Sequence, residues 1–257
     1  MSRTGFTTRE RAGVKAIEVG SRVLEVLAGA ERPLALRDLA AAGHMSPGKA
    51  HRYLTSLMAS GLARQDPDTR RYALGPLAMR LGFAALNAHQ PLRDAINLQR
   101  ELRNRLDETL VLSVWSTQGP TVVHVDDSSQ PVIMTMRVGA VLPMLSTATG
   151  LVFAAFLPQH FTKPLITAAM ESNHGYKPFT RDRGELARMI EQVRSEGYAY
   201  NPGRLMLGVN AAAFPLIDRS SALIAVTSVM GRSDRINREN GAALIAQLQD
   251  AVSQFGR

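Results

Sequence analysis

The most constraining feature of this 257-residue sequence is a run of short elements between residues 36 and 74. Apolar residues at helical spacing predict a short helix over Leu36–Ala42 and a longer one from Pro47 to about Ser60. The tripeptide Gly43-His44-Met45 separates the two helices, and Ser46 is placed to cap the second one, with proline in its first turn. Two helices joined by a short turn that contains glycine have the spacing of a helix-turn-helix.

A predicted β-hairpin follows these helices directly. Its strands are Leu62–Gln65 and Arg70–Leu74, and Asp66-Pro67-Asp68-Thr69 forms the turn between them. A further amphipathic helix precedes the pair, from Val14 to Ala28. Three helices followed by a hairpin predict a winged helix-turn-helix, with Arg70 and Arg71 near the tip of the wing.

The charge of the chain is concentrated in the same region. Residues 1–90 hold 13 Lys and Arg against 7 Asp and Glu, whereas residues 91–257 hold 17 against 15. This asymmetry favours a basic, nucleic-acid-binding module joined to a nearly neutral one. A solvated basic face without a partner is the alternative that charge alone leaves open.

The exposed side of the second helix of the pair has the residue types that read DNA. Cations and a helix N-terminus bind phosphate, while histidine and arginine can donate to base edges in the major groove. The predicted contacts to double-stranded operator DNA are Ser46, Gly48, Lys49, His51, Arg52 and Thr55 on the helix, with Arg70 and Arg71 on the wing. The same helical residues could instead be only the wet side of an amphipathic helix.

The rest of the chain alternates between helical and strand patterns, which predicts an α+β domain. A helix over Leu77–Leu86 would link it to the winged helix. Further helices are expected at Pro91–Leu106, Thr149–Phe156, Phe161–Ala169, Arg183–Ser195 with Asp182 as its cap, and about Ile236–Phe255. Strands are expected at Leu110–Ser116, Thr121–Asp127, Val132–Val138, Gly197–Tyr200, Val209–Ile217 and Ala222–Met230.

Several motifs together resemble the IclR-type bacterial transcription regulators. They are the run from Lys49 to Leu57 (KAHRYLTSL), the run from Arg71 to Gly75 (RYALG), and about 180 residues that follow. The resemblance implies an N-terminal extension at 1–13, a winged helix-turn-helix at 14–76, and a linker helix with a GAF-like effector-binding domain at 77–257. It also implies a homodimer, often paired into a homotetramer, that responds to a small molecule.

The resemblance further implies an effector pocket between the sheet and the loop from Gly139 to Gly150. Carried over by position, its lining would be Met134, Leu142, Ala148, Thr149, Asn201, Val209, Ala211, Ser228 and Met230. This chain departs from the usual pattern in having Leu145 for a histidine, Leu151 for a lysine, Asn210-Ala211 for Arg-Cys, and Asn201 for an acidic residue. These changes make the pocket less charged and favour a flat, aromatic organic acid.

The residues themselves support part of this prediction. Thr147-Ala148-Thr149-Gly150 begins a predicted helix, and the free N–H groups of a helix N-terminus suit a carboxylate. Either threonine could instead only cap its own helix. Met134, Met144 and Met230 could form an adaptable apolar wall, although methionines at such spacings also occur in ordinary cores.

Other classes of protein are disfavoured by what the sequence lacks. Without cysteine there are no disulfides, thiol nucleophiles or cysteine-ligated metals. No apolar stretch is long enough to span a membrane, and the first residues lack the apolar core of a secretory signal, so we expect a cytoplasmic protein. None of the nucleotide-binding, nucleophile-elbow or metalloprotease motifs occurs. No enzyme and no cofactor are therefore predicted.

Two alternatives remain at this point. His124 and Asp126 share one face of a predicted strand, as two metal ligands would, but no third ligand has suitable spacing. A metal-assisted enzyme with an appended DNA-binding domain is therefore a remote interpretation. The other alternative is a ligand-binding protein that acts through protein partners.

Overall fold

The structure is a computed structural model that describes residues 14–30, 32–129, 136–172, 178–237 and 242–255. It consists of two compact units, Met1–Ala85 and Leu86–Arg257. Most of the predicted strand Val132–Val138, including Met134, lies outside the described residues. Its described end, Met136–Val138, is not a strand.

The first unit is a winged helix-turn-helix. Its described elements are α1 (Lys15–Gly29), α2 (Leu36–Ala42), α3 (Pro47–Ala59), β1 (Ala63–Gln65), β2 (Tyr72–Leu74) and the start of α4 (Pro76–Ala88). One apolar face of each helix supplies the core of the unit, where Val23, Leu39 and Leu54 are completely buried. This architecture confirms the predicted fold class.

The wing differs from the prediction in two ways. Arg70 has a φ of 56°, which is left-handed and incompatible with a strand, so β2 begins at Tyr72 and not at Arg70. Leu34 pairs with Tyr72 in an antiparallel bridge, which adds a third segment to the hairpin sheet. The backbone at Gly75 approaches the carbonyl oxygens of Gly61 and Ala63 so closely that no side chain fits there.

The second unit is an α+β domain. It contains α5 (Gln90–Leu106), β3 (Thr109–Ser116), β4 (Gly119–Asp126), α6 (Ala148–Phe156), α7 (Gln159–Glu171), α8 (Arg183–Glu196), β5 (Ala199–Met206), β6 (Val209–Ile217), β7 (Leu223–Arg232) and α9 (Ala242–Gln254). The five strands form one antiparallel sheet in the order β4-β3-β7-β6-β5. Helices cover both faces of this sheet, with α5 and α9 on one face and α6 on the other.

Two boundaries in this unit were predicted wrongly. The last helix was expected from about Ile236, but Ile236 lies in the turn after β7, where its side chain is completely buried. The strand expected at Gly197–Tyr200 runs on to Met206 through a bulge, and Gly197 instead ends α8 in a left-handed conformation. In both places the deciding contacts come from other strands of the sheet.

Candidate functional site

The exposed face of α3 is the first candidate surface. Ser46 caps the helix, since its Oγ accepts the Lys49 N–H at 3.4 Å, and Pro47 occupies the first turn. Ala50, Leu54 and Leu57 bury the opposite face in the core of the unit. As a result, six of the predicted DNA contacts are exposed together on this helix: Ser46, Gly48, Lys49, His51, Arg52 and Thr55.

The tip of the wing is held by one carboxylate. Asp66 Oδ1 accepts the N–H and the hydroxyl of Thr69, each at 2.8 Å, and the N–H of Asp68 at 3.2 Å. These hydrogen bonds, the one from the Thr69 N–H above all, lower the pKa of Asp66 below its usual range. The wing therefore has a defined turn, although its tip is solvent-exposed.

The two arginines of the wing differ in their surroundings. Arg70 is exposed at the left-handed position, and its carbonyl accepts the Gln65 side-chain amide at 2.9 Å. Arg71 is half-buried, and its Nη1 donates to the Pro33 carbonyl at 3.2 Å. The Arg71 guanidinium thus ties the wing to the loop before α2, whereas the Arg70 side chain is exposed to solvent.

The second candidate site is a cavity between α6 and the sheet of the second unit. The empty space between the atoms there is about 480 Å³, and this figure includes solvent outside the opening. Among the described residues its lining contains no charged side chain and consists of Val111, Met136, Leu142, Thr147, Ala148, Thr149, Asn201, Met206, Val209, Ala211, Ser228 and Met230.

The first turn of α6 supplies most of the polarity of this cavity. The Thr147 hydroxyl donates to the Pro143 carbonyl at 2.8 Å and accepts the Gly150 N–H at 3.0 Å, so Thr147 caps its own helix. Thr149 is 3% exposed, and in the described part of the chain its hydroxyl has no hydrogen-bond partner. The N–H groups of Ala148 and Thr149 are equally without a partner there.

Two other polar groups are held in place around the cavity. The Asn201 amide donates to the Ser146 carbonyl at 3.1 Å, which joins β5 to the segment before α6. The Ser228 hydroxyl donates to the Val111 carbonyl at 3.3 Å, between neighbouring strands. Both side chains are more than nine-tenths buried. Together they form the polar floor of the cavity, and the N-terminus of α6 supplies its other polar groups.

Comparison with known proteins identifies the family. The IclR helix-turn-helix domain matches residues 16–67, and the bacterial transcriptional regulator IclR C-terminal domain matches residues 84–257. The chain belongs to the IclR family. Its winged helix is thus the DNA-binding domain of a transcriptional regulator, and its α+β unit is the effector-binding domain.

Three relatives show the range of the family around this chain. The glycerol operon regulatory protein of Streptomyces coelicolor is 29% identical over 255 residues, which are 95% of this chain and 96% of the relative. Pseudomonas aeruginosa HmgR is 36% identical, with a TM-score of 0.56, and the match covers 95% of this chain and 98% of that one. An IclR homologue from Microbacterium hydrocarbonoxydans, solved in complex with 4-hydroxybenzoate, is 19% identical with a TM-score of 0.74, over 94% and 98% of the two chains. The last likeness shows the fold alone.

The structure brings together most of the residues that the IclR resemblance implied for the pocket. Eight of the nine line the one cavity, and Met134 lies outside the described residues. Their contact with an effector stays a prediction. The sequence-based prediction of the lining did not include Val111, Met136 and Met206. It gave Thr147 two possible roles, as a helix cap and as a ligand contact, without placing it in the lining. Met206 follows the irregular part of β5, where the register shifts between Asn201 and Met206.

The positions that depart from the usual IclR pattern lie in different parts of the effector-binding domain. Leu145 and Leu151 are buried in the apolar core around α6 and do not line the cavity. Asn210 faces the other side of the sheet, where its amide donates to the Tyr200 hydroxyl at 2.8 Å and to the Ile236 carbonyl. Ala211 and Asn201 do line the cavity. Met144 belongs to the core around α6, so the predicted methionine wall is instead made by Met136, Met206 and Met230.

The metal-site alternative gains no support from this IclR-family structure. His124 Nε2 and Asp126 Oδ2 lie 3.0 Å apart and contact each other on β4. In the described ranges, no group of three or more histidine, aspartate and glutamate side chains is arranged to hold a metal ion.

No described helix is both long and apolar enough to cross a membrane.

Proposed function

We propose that this chain is a cytoplasmic regulator of a catabolic operon that binds operator DNA as a homodimer and responds to a small aromatic carboxylate. Relatives named for the operons they regulate support the first part. The proposed modules are the winged helix at 14–76 and the linker helix with the effector-binding domain at 77–257. In this proposal α3 enters the major groove, with Arg52 and His51 at base edges, Ser46, Gly48, Lys49 and Thr55 around them, and the wing beside it.

The first turn of α6 is the observation that carries the effector class. Two N–H groups and the Thr149 hydroxyl have no partner among the described residues, and they lie at a cavity whose described lining holds no charged side chain. A helix N-terminus favours an anion, because its N–H groups and the helix dipole both attract negative charge. We infer that the carboxylate of the effector binds there.

The remaining wall of the cavity favours an aromatic ring. Met136, Met206 and Met230 surround it with polarisable side chains that adapt to flat ligands, and Val111, Leu142, Val209 and Ala211 add apolar surface. That a fold relative holds 4-hydroxybenzoate is consistent with this class of ligand. Binding would act on DNA affinity by stabilising one arrangement of the paired DNA-binding domains over another.

A thermal-shift series of matched ligands tests the effector class. Benzoate is expected to raise the melting temperature, because a ligand that binds only the folded state stabilises it. Benzamide, which has the same shape without the charge, and acetate, which lacks the ring, are expected to do so far less. Equal shifts with benzamide, or a larger shift with acetate, would contradict the proposal.

A pair of variants tests where the carboxylate binds. Thr149→Val is expected to weaken benzoate binding by about ten- to a hundredfold, the usual effect of losing a hydrogen bond to a charged group of about 1.5–3 kcal/mol. Thr162→Val is the matched control, since Thr162 is buried on α7 outside the cavity. Calorimetric titration measures both, and equal affinities in the two variants would place the carboxylate elsewhere.

A further inference from the structure

Ser113 is a buried hydroxyl that the proposed contacts leave unused. It lies in β3, its side chain is completely buried, and in the described part of the chain its Oγ has no hydrogen-bond partner. A hydroxyl buried without a partner lowers stability, and native proteins usually satisfy such a group with water or a bound molecule. The described residues therefore leave the Ser113 hydroxyl without a hydrogen-bond partner, which a bound molecule could supply.

The register of the sheet places Ser113 on the face that carries the cavity. Side chains alternate along a strand, so Ser113 shares its face with Val111 and Trp115. Val111 lines the cavity, and Trp115 packs on Phe153 of α6, with ring centroids 5.5 Å apart. The pairing of β3 with β7 is continuous from Thr109 to Ser113, and Val226, the partner of Ser113, belongs to the core on the α6 face. The register of β3 with β4 shifts between Leu112 and Ser113, but the extra residue is in β4.

The same register relates Ser113 to the polar floor of the cavity. Val111 pairs with Ser228, and Ser113 pairs with Val226, so Ser113 and Ser228 are diagonal neighbours on adjacent strands. Diagonal neighbours in an antiparallel pair lie about 7–8 Å apart. Ser113 is not among the residues that line the cavity, so a ligand reaches its hydroxyl only where the cavity extends by one row of the sheet, a distance of the order of the width of a substituted aromatic ring.

We propose that Ser113 is a specificity-determining residue that hydrogen-bonds a ring hydroxyl of the aromatic effector. The inference rests on the proposed function, in which the carboxylate of the same ligand binds at the first turn of α6. The cavity would extend by one residue pair of the sheet, from the row of Val111 and Ser228 to the row of Ser113 and Val226. The preferred ligand is then a hydroxylated aromatic acid and not the unsubstituted acid.

Calorimetric titration of the full chain with benzoate and the three monohydroxybenzoates tests this. In the wild type, at least one hydroxybenzoate is expected to bind about three- to tenfold more tightly than benzoate, the range of one neutral hydrogen bond. In Ser113→Ala that preference is expected to disappear, while the affinity for benzoate stays within about twofold. The melting temperature of the unliganded Ser113→Ala variant is expected to be unchanged or higher, because an unsatisfied hydroxyl is removed.

Thr227→Val is the matched control. Thr227 lies next to Ser228 in β7 but on the opposite face, where its hydroxyl contacts Gln99 Oε1 at 3.5 Å. This variant is expected to lose stability and to keep the wild-type preference among the four ligands. If Ser113→Ala keeps the preference while benzoate still binds, Ser113 has a structural role only and the inference is wrong. If neither benzoate nor any hydroxybenzoate binds the wild type, the proposed aromatic effector fails together with it.

Discussion

At the scale of single residues, Arg70 and Arg71 are neighbours in different surroundings. The Arg71 guanidinium donates to the Pro33 carbonyl, so this side chain is already used in the fold of the winged helix. Arg70 occupies a left-handed position at the exposed tip. The sequence predicts a DNA contact for both arginines, and we propose that Arg70 contacts phosphate while Arg71 positions the wing.

We expect the two arginines to separate in a salt titration of DNA binding. Arg70→Ala should lower the slope of log K against log salt concentration by about one, because one phosphate contact is lost. Arg71→Ala should leave that slope nearly unchanged and lower the melting temperature of the free protein. Equal slopes in both variants, each reduced by one, would show that Arg71 contacts phosphate after all.

Arg52 is expected to act on base sequence and not on the phosphate backbone. Arg52→Ala should weaken operator binding by about 1–3 kcal/mol and relax the preference at one base position, as losing a bidentate base contact does. Arg22→Ala on α1 is a control of equal charge outside the proposed interface. Binding to operators with single base changes measures the effect, and an unchanged base preference would remove Arg52 from the reading residues.

At the scale of elements, an ion pair between buried Glu108 and exposed Arg235 joins the start of β3 to the turn after β7. Glu108 is 3% exposed, and its Oε1 lies 2.7 Å from Arg235 Nε without an aligned hydrogen bond. A side chain at Gly231 would collide with the Glu108 carboxylate, which explains the glycine. Burial raises the pKa of Glu108, and the opposite charge of Arg235 lowers it by less.

The raised pKa gives a pH-dependence that Glu108→Gln should remove. The unfolded chain releases the Glu108 proton at a lower pH than the folded chain does, so the stabilisation of the wild type relative to the variant is greatest at low pH. It should fall as the pH rises from about 4 through the folded pKa of Glu108. Urea unfolding of both proteins across this pH range measures the difference, and a difference that grows with pH would mean that Arg235 lowers the pKa instead.

At the scale of the whole molecule, α4 presents large apolar side chains to solvent in the described part of the chain. Met79, Leu81 and Phe83 are 63%, 55% and 59% exposed, and Met79 and Phe83, four residues apart, share one side of the helix. Helix-turn-helix proteins bind two half-sites through paired copies, and large exposed apolar side chains mark surfaces for association. Met79 and Phe83 therefore support the proposed homodimer, with a second copy of the chain on this side of α4.

Met79→Glu with Phe83→Glu is expected to convert the proposed dimer to monomer and to abolish tight binding to a two-half-site operator. The charges would be desolvated in the interface, which is unfavourable without partners. Phe161→Glu on α7 changes an equally large and exposed apolar residue elsewhere, and it should leave the dimer intact. Sedimentation equilibrium decides, and a dimer that survives both substitutions on α4 would place the interface on another face.

Features that depend on nearby residues could be predicted from the sequence. The bounds of α2 and β6, the Ser46 cap of α3 and the Asp182 cap of α8 agree with the prediction, because helical periodicity and capping act within a few residues. The positions that match the IclR family predicted eight of the residues that line the cavity, although these residues lie far apart in the chain.

Features that depend on distant partners could not be predicted from the sequence and are seen only in the folded structure. These include the Leu34–Tyr72 bridge, the contact of Arg71 with Pro33, the burial of Ile236 in a turn, and the unpartnered Ser113 hydroxyl. The physical reason is that a hydrogen bond or a buried surface between segments depends on how the elements pack, and that packing leaves no local pattern in the chain.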